Sequence, residues 1–510
     1  MNEALKKTEK DFLDFVKKMS AYNEALSLIF WDLRTGAPKK GVDQRTEVIG
    51  MLSSEVFKMS TSEEMAAYIA KLSGEEAAAS LDAITVKVLE ESKKEYDRNK
   101  KIPAEEYKEY VILQSKAESV WEEAKEKSDF TLFQPYLEKL VEANKRFIQY
   151  WGYEGHKYNT LLDMYEPGVT VDVLDEVFGE LRSKIVPLVQ SISESDSKPD
   201  TSFLFENFPK EKQRDFSLEI LKQMGYDFDA GRLDETVHPF ATGLNPGDVR
   251  VTTKYDEKDF RTAVFGTIHE GGHALYEQNI SKDLVGTPLC TGTSMGIHES
   301  QSLFYENFVG RSESFWKKNY ELLKQYANGQ FDGVEPEDFY RAINESKPSL
   351  IRIEADELTY PLHVIVRYEI EKGLFNDEIE VKDLPEIWNS KYEEYLGVRP
   401  ANDAEGVLQD VHWAGGSFGY FPSYALGYMY AAQLKQAMLK DLPDYDQLLE
   451  NGDLAPIKEW FTKNVHQYGK LKKPLEILED VTGEGLNASC LSDYLYEKYG
   501  KVYRLKESSR

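Results

Sequence analysis

Apolar residues recur at three- and four-residue spacing from Glu3 to about Trp151, as in Phe12, Phe15, Val16 and Met19 and again in Leu137, Leu140, Val141 and Ile148. A stripe of that period lies along one face of an α-helix, so this part of the chain is expected to form several long antiparallel helices. Residues that end or start helices place breaks at Thr35-Gly36-Ala37-Pro38, at Ser73-Gly74 and at Ile102-Pro103. A further helix is expected from roughly Val171 to Ile192, followed by the polar stretch Ser195 to Asp200, read as a short loop between lobes. Between Gly231 and Tyr255 the pattern changes: Asn245-Pro246-Gly247 signals a turn, and Val249 and Val251 alternate with polar neighbours, which predicts a small β ribbon. Helical periodicity returns at Asp259 and persists almost to the C-terminus, apart from a Gly- and aromatic-rich interruption from Gly415 to Gly427. The expected fold is mostly α.

Composition narrows the class. At 510 residues, 41% hydrophobic and 30% charged, the chain is too apolar for disorder and too charged for a membrane protein. The 62 basic and 90 acidic residues leave a net charge of −28, which repels phosphate backbones and anionic headgroups; neither nucleic acid nor a membrane is expected as partner. No run of about 18 apolar residues occurs. The first residues, M-N-E-A-L-K-K-T-E-K-D-F, lack the apolar stretch of a secretory signal, and the two cysteines, Cys290 and Cys490, are expected as reduced thiols. A cytoplasmic location is expected.

The chemistry concentrates in F-G-T-I-H-E-G-G-H-A-L-Y-E-Q-N, where His269, Glu270 and His273 spell H-E-x-x-H on a stretch with helical spacing. Positions four apart share a helix face, so both imidazoles can reach one metal ion, and Glu270 projects beside it as a carboxylate able to take a proton from water. A hydrolytic zinc site uses three protein ligands and keeps one position open. Three residues compete for the third place. Glu299 lies twenty-six residues beyond His273 on what should be the next helix and is preferred; His298 is adjacent but points about 100° away on a helix, and Glu277 lies four residues past His273 on the same face. His298 could instead hydrogen-bond a substrate or a ligand carboxylate, or merely cap packing.

Further motifs carry a resemblance. His238-Pro239-Phe240, Asp248-Val249-Arg250-Val251-Thr252, H-E-G-G-H, His298-Glu299-Ser300-Gln301, Ile351 to Asp356 (I-R-I-E-A-D) and Gly406 to Trp413 (G-V-L-Q-D-V-H-W) resemble, in order, the thermostable carboxypeptidase family, also called carboxypeptidase Taq. Trp31 to Pro38 (W-D-L-R-T-G-A-P) extends the likeness over essentially the whole chain. The resemblance implies a zinc metallocarboxypeptidase of broad specificity, often accepting cobalt, that removes C-terminal residues one at a time from unstructured peptides. It implies a cytoplasmic homodimer and a fold similar to neurolysin, thimet oligopeptidase and angiotensin-converting enzyme: a two-lobed helical body with a deep groove and zinc at its floor. Residues 1–195 would then wall or lid the groove and residues 196–510 would carry the metal site, within a single peptidase domain.

An exopeptidase acting at the C-terminus must recognise a free carboxylate, and the planar fork of Arg suits it. Arg352 is the first candidate and Arg250 the second; Asp356, four residues past Arg352, is expected to pair with it or to support a ligand histidine. The oxyanion of the tetrahedral intermediate needs donors besides the metal. The stretch His412-Trp413-Ala414-Gly415-Gly416 with Tyr424 resembles the H-x-A-G-G and tyrosine arrangement of the oligopeptidases named above, which makes Tyr424 the expected donor beside His412, with Tyr420 the alternative. His238 opens the ribbon and is expected either to close one end of the groove or to buttress the ribbon. An endo-acting oligopeptidase and a metal-bearing but inactive peptide-binding scaffold are the competing readings; an intact Glu270 weighs against the scaffold.

Overall fold

The structure is a computed structural model that describes residues 2–506. Helices dominate it. The first, α1 (Glu3–Thr35), is capped by the Asn2 side chain, which accepts from Leu5 N–H, and it buries Phe12, Val16, Met19, Leu26 and Trp31 along one stripe. Its end at Thr35, and the breaks after Leu72 and at Ile102-Pro103, fall where the glycine and proline signals put them. The helix α2 (Ala104–Lys127) meets α3 (Phe130–Trp151) at Ser128, whose left-handed φ of 52° the residue pattern did not signal. The helix α4 (Val171–Ser193) is capped by Thr170. The polar stretch after it is fastened rather than free: Ser195 donates to Tyr503 O, and the Arg341 guanidinium donates to Ser197 O.

The expected ribbon is a three-stranded sheet. Strand β1 (Leu233–Glu235) runs parallel to β3 (Asp248–Thr253), and β2 (Ala241–Asn245) pairs with β3 antiparallel, with Thr242 opposite Arg250. Asn245 Oδ1 accepts from Gly247 N–H and closes the turn between β2 and β3. The sheet packs on α5 (Arg261–Gln278), which is buried on nearly all sides and therefore lacks an exposed polar face. The next helix, α6 (Met295–Leu303), runs into a π-helical turn, Phe304–Val309. Later come α7 (Tyr360–Phe375), α8 (Pro422–Asp441) and α9 (Ser489–Val502). The interruption expected at Gly415 to Gly427 starts earlier and ends sooner: residues 397–421 form turns without a helix, and α8 has already begun at Pro422.

Three helices meet closely because glycines let them. A Cβ at Gly272 of α5 would collide with the Gln301 carbonyl of α6, and one at Gly427 of α8 would lie 2.7 Å from Glu299 Cβ and 2.9 Å from Gly296 O. Gly427→Ala is expected to cost about 1–3 kcal/mol through overpacking and to push Glu299 off its position. Urea unfolding checks the first effect and metal affinity the second.

Candidate active site

His269, Glu270 and His273 stand on α5, and Glu299 comes across to them from α6. The start of α6 is pinned by a buried carboxylate. Ser294 caps the helix by accepting from Ile297 N–H, and Glu166 accepts from the Ser294 hydroxyl (2.8 Å), from Gly296 N–H (2.8 Å) and from the Tyr430 hydroxyl. Burial pushes the Glu166 carboxyl up to about 7 against those three donors.

The ligand atoms converge. His269 Nε2 lies 3.6 Å from Glu299 Oε1, and His273 Nε2 lies 3.3 Å from Glu299 Oε2; one donor atom from each of the three falls within 4.8 Å of the others. Ligands about 2.0–2.1 Å from a tetrahedral ion stand about 3.3–3.5 Å apart, so this donor set fits a zinc-sized cation. Burial works against a charge on His269, but Glu299 and Glu306 outweigh it and hold the imidazole up to about 10; burial depresses His273 to about 4. Glu299 is drawn down to about 2 because His269 and His273 outweigh its own burial, and Glu270 is pushed up to about 7, chiefly by burial.

A second ring of side chains fixes the first. His273 Nδ1 is 2.6 Å from His298 Nδ1, and His298 Nε2 is 2.7 Å from Glu277 Oε1. The carboxylate can only accept, so His298 carries its proton on Nε2 and offers Nδ1 as acceptor; His273 then donates from Nδ1 and keeps the lone pair of Nε2 toward Glu299. Glu277 also accepts from Gly292 N–H and the Thr291 hydroxyl. Gly292 has room for no side chain, since a Cβ there would strike the His298 ring. On the other side, Glu306 of the π-helical turn faces His269 Nδ1 at 3.3 Å.

These groups line a cavity of about 1250 Å³ that also receives Glu270, Arg352, Tyr360, Tyr420 and Tyr424. Arg352 is 6% exposed and already engaged: Nε and Nη2 donate to Asp410 Oδ1 at 3.2 and 2.9 Å, Nη1 donates to the Tyr360 hydroxyl, and its guanidinium stacks 5.1 Å from the Tyr424 ring centroid. Arg367, fully buried on α7, takes Asp410 Oδ2 at 2.6 Å, and Gln409 Oε1 accepts from both Arg352 N–H and Arg367 Nη2. The I-R-I-E-A-D and G-V-L-Q-D-V-H-W segments are thus two halves of one ionic cluster. Tyr424 Oη and His412 Nε2 are 3.5 Å apart, and burial lowers His412 to about 4, so that imidazole is neutral near pH 7.

A family model described as Carboxypeptidase Taq (M32) metallopeptidase matches residues 11–499. The chain belongs to the carboxypeptidase Taq family. It is 62% identical to Carboxypeptidase 1 of Bacillus subtilis (strain 168) over 497 residues, covering 98% of this chain and 99% of the relative. It is 39% identical to Thermostable carboxypeptidase 1 of Thermus thermophilus over 503 residues, covering 97% and 98%. A solved structure of Pyrococcus furiosus carboxypeptidase superposes with a TM-score of 0.93 at 36% identity, covering 98% of this chain and 99% of that one. This carboxypeptidase Taq member is a metallocarboxypeptidase, removing amino acids from the C-terminus of peptides.

Within this carboxypeptidase Taq chain, His269, Glu270, His273, Glu299, Arg352, Tyr420 and Tyr424 all face the cavity. His412 stands behind Tyr424. Two expected residues lie elsewhere. Arg250 is clamped by Asp248 through Nε and Nη2 and lies 4.5 Å over the Trp31 ring, so it ties α1 to the sheet and stands outside the cavity lining. His238 is exposed and outside the cavity lining, whereas its neighbours Pro239 and Phe240 take part in that lining, and the Arg34 guanidinium sits over Phe240. Asp356 corrects a third expectation. Its carboxylate accepts from the Ser346 and Thr359 hydroxyls and from Lys347, Leu358 and Thr359 N–H, and it pairs with neither Arg352 nor a histidine. Among the described residues none before Phe205 lines the cavity; α1 reaches the sheet, and α2 reaches the turns at 408–415 through Gln114, Trp121 and Lys125. Residue patterns missed Glu306, Asp410, Arg367 and Glu166, all of which act through partners distant in sequence.

Proposed function

We propose that this metallocarboxypeptidase holds zinc through His269, His273 and Glu299, with cobalt able to substitute, and releases C-terminal residues one at a time from unstructured peptides with broad specificity. The observation that carries the reading is the convergence of two imidazole Nε2 atoms and one carboxylate, within 4.8 Å, beside Glu270 on the wall of a large cavity. When bound, the metal supplies Lewis-acid polarisation of the scissile carbonyl and lowers the pKa of water. Glu270, buried on the cavity wall beside the donor set, is suited to take a proton from the attacking water and return it to the departing amine. Tyr424 donates its hydroxyl to the developing oxyanion, with neutral His412 positioning that hydroxyl, and Tyr420 packs edge-on against Tyr424 at 5.2 Å. Arg352 offers its remaining N–H groups to the terminal carboxylate.

Protein stripped with a chelator and reloaded should regain peptidase activity with zinc or cobalt at one ion per chain; full activity in the stripped form contradicts the reading. Tyr424→Phe should lower kcat about 10²-fold with little change in KM, read by steady-state kinetics. His298→Phe removes the acceptor for His273 and should weaken zinc about 10- to 100-fold, read by competition with a chromogenic chelator. We further propose a cytoplasmic homodimer with neither nucleic-acid nor membrane partners. The −28 charge supports the lack of nucleic-acid and membrane partners, and the dimer is supported by an apolar surface on the early helices, where Met51, Val111 and Ile112 are exposed and Phe57 stacks on Tyr107 at 6.1 Å. Light scattering that returns a monomer at micromolar concentration would overturn the dimer.

A further inference from the structure

One buried carboxylate has no use in the chemistry above. Glu371 stands on α7, fully buried, and accepts on both oxygens: Trp413 Nε1 donates to Oε1 at 3.1 Å, while Gly419 N–H and the Tyr158 hydroxyl donate to Oε2 at 3.0 and 2.6 Å. An indole N–H and a backbone N–H can only donate, so these partners suit an ionised carboxyl. A buried charge is costly unless hydrogen bonds replace its water, so what Glu371 does for the fold lies in what those donors belong to.

Two of the donors bracket a loop of the site. Trp413 directly follows His412, Gly419 directly precedes Tyr420, and the residues between form turns that Ser417 N–H closes on His412 O. One side chain therefore holds both ends of the loop that carries His412 and Tyr420. The same helix holds what leads into it: Arg367 donates to Asp410 and Gln409, and the Tyr360 hydroxyl accepts from Arg352. Tyr360, Arg367 and Glu371 follow one another at seven- and four-residue spacing, so they share a face of α7. Beyond the loop, the Tyr420 ring lies 5.5 Å from His412 and 5.2 Å from Tyr424, and His412 Nε2 is 3.5 Å from Tyr424 Oη. Glu371 itself does not line the cavity and can act there only through these residues.

We propose that Glu371 is a positioning residue for the peptidase reaction: by fixing both ends of the 413–419 loop it sets His412 and Tyr420 against Tyr424 and so aims the Tyr424 hydroxyl at the oxyanion. The inference rests on the oxyanion role proposed for Tyr424 and deepens it by naming what holds that donor in place. A donor to an oxyanion works only where it is already aimed when charge develops, so a loop freed at one end lowers the rate of the chemical step and leaves substrate binding at Arg352 intact.

The test compares kcat, KM and Tm of the metal-loaded wild type with Glu371→Gln, Tyr158→Phe, Tyr424→Phe and the double variant Glu371→Gln/Tyr424→Phe on one peptide with a free C-terminus, each rate divided by bound metal. Glutamine keeps the size of Glu371 but turns an NH₂ toward one set of donors and frees one end of the loop. Glu371→Gln is expected to lower kcat about 10- to 100-fold with little change in KM or metal content. Tyr158→Phe takes a hydrogen bond from the same carboxylate and leaves both loop bonds in place, so it should lower Tm and leave kcat at the wild-type value. In the Tyr424→Phe background Glu371→Gln should lower kcat no further, because the group it aims is gone. Wild-type kcat in Glu371→Gln, an equal kcat loss in Tyr158→Phe, or a full additional loss in the double variant overturns the proposal. Should Glu371→Gln fail to fold, Trp413→Phe removes only the indole donor: a kcat loss at constant KM supports the proposal, and wild-type kcat overturns it. Tyr424→Phe alone separates the two readings. If it keeps wild-type kcat, the oxyanion reading fails and takes this inference with it; if it loses kcat while Glu371→Gln does not, the positioning inference fails alone.

Discussion

Glu270→Gln lowers kcat about 10³-fold while the protein still binds one metal ion per chain. The expectation follows from position. Glu270 is next to the first imidazole on α5, is 9% exposed, and faces the cavity without serving in the converging donor set. Glutamine keeps its size and its hydrogen bonding but cannot take a proton. Metal content by mass spectrometry and steady-state kinetics on the same preparation read both halves. Retained turnover would move the base elsewhere; lost metal would make Glu270 part of the binding site.

Arg352→Met has two separable effects. Loss of a charge-assisted fork to the terminal carboxylate should lower kcat/KM by about 10²–10³ on peptides with a free C-terminus. The same change strips Asp410 of its Oδ1 partner and leaves Arg367 on Oδ2 alone. Burial by itself would raise the Asp410 carboxyl, but Arg367 and Arg352 outweigh it and hold it far below the usual carboxylate range. A carboxyl depressed in the folded state contributes stability above its unfolded pKa of about 4 and loses it as pH falls toward the folded value. With one arginine gone the depression shrinks. The variant should lose about 1–3 kcal/mol at pH 7 and unfold at a higher pH in an acid titration followed by circular dichroism. A variant that loses stability and keeps kcat/KM would leave Arg352 a strut for Asp410 only.

How much of this was legible in the sequence follows from the range of each interaction. The helices, the ribbon and the H-E-x-x-H pair declared themselves because their signals sit within one or two turns of chain. Glu299 could be preferred from spacing, and His298 could be expected to hydrogen-bond a substrate or a ligand carboxylate, but the link between His298, Glu277 and His273 could not be seen. Glu277 and His298 compete with it on a helical wheel; in three dimensions His298 slides between Glu277 and His273 and links them. Asp356 was expected beside Arg352 on a shared helical face, yet Arg352–Glu354 is a single 3₁₀ turn, so no such face exists and the carboxylate caps the following turn. For Arg250, only the fold reveals that Trp31, more than 200 residues earlier, lies beneath it. His238 opens a motif whose packing is done by Phe240. Arg352 was identified, but its partner Asp410 is 58 residues away in another loop, and no periodicity reaches that far.

The most direct test is a mass-spectrometric time course on one unstructured peptide with a free C-terminus and on its amidated twin, each with and without a chelator and each restored with zinc or cobalt. A ladder of C-terminal losses from the free peptide alone, abolished by chelator and recovered with metal, is the predicted result. Internal cleavage of both twins, or a ladder that survives metal removal, would contradict it.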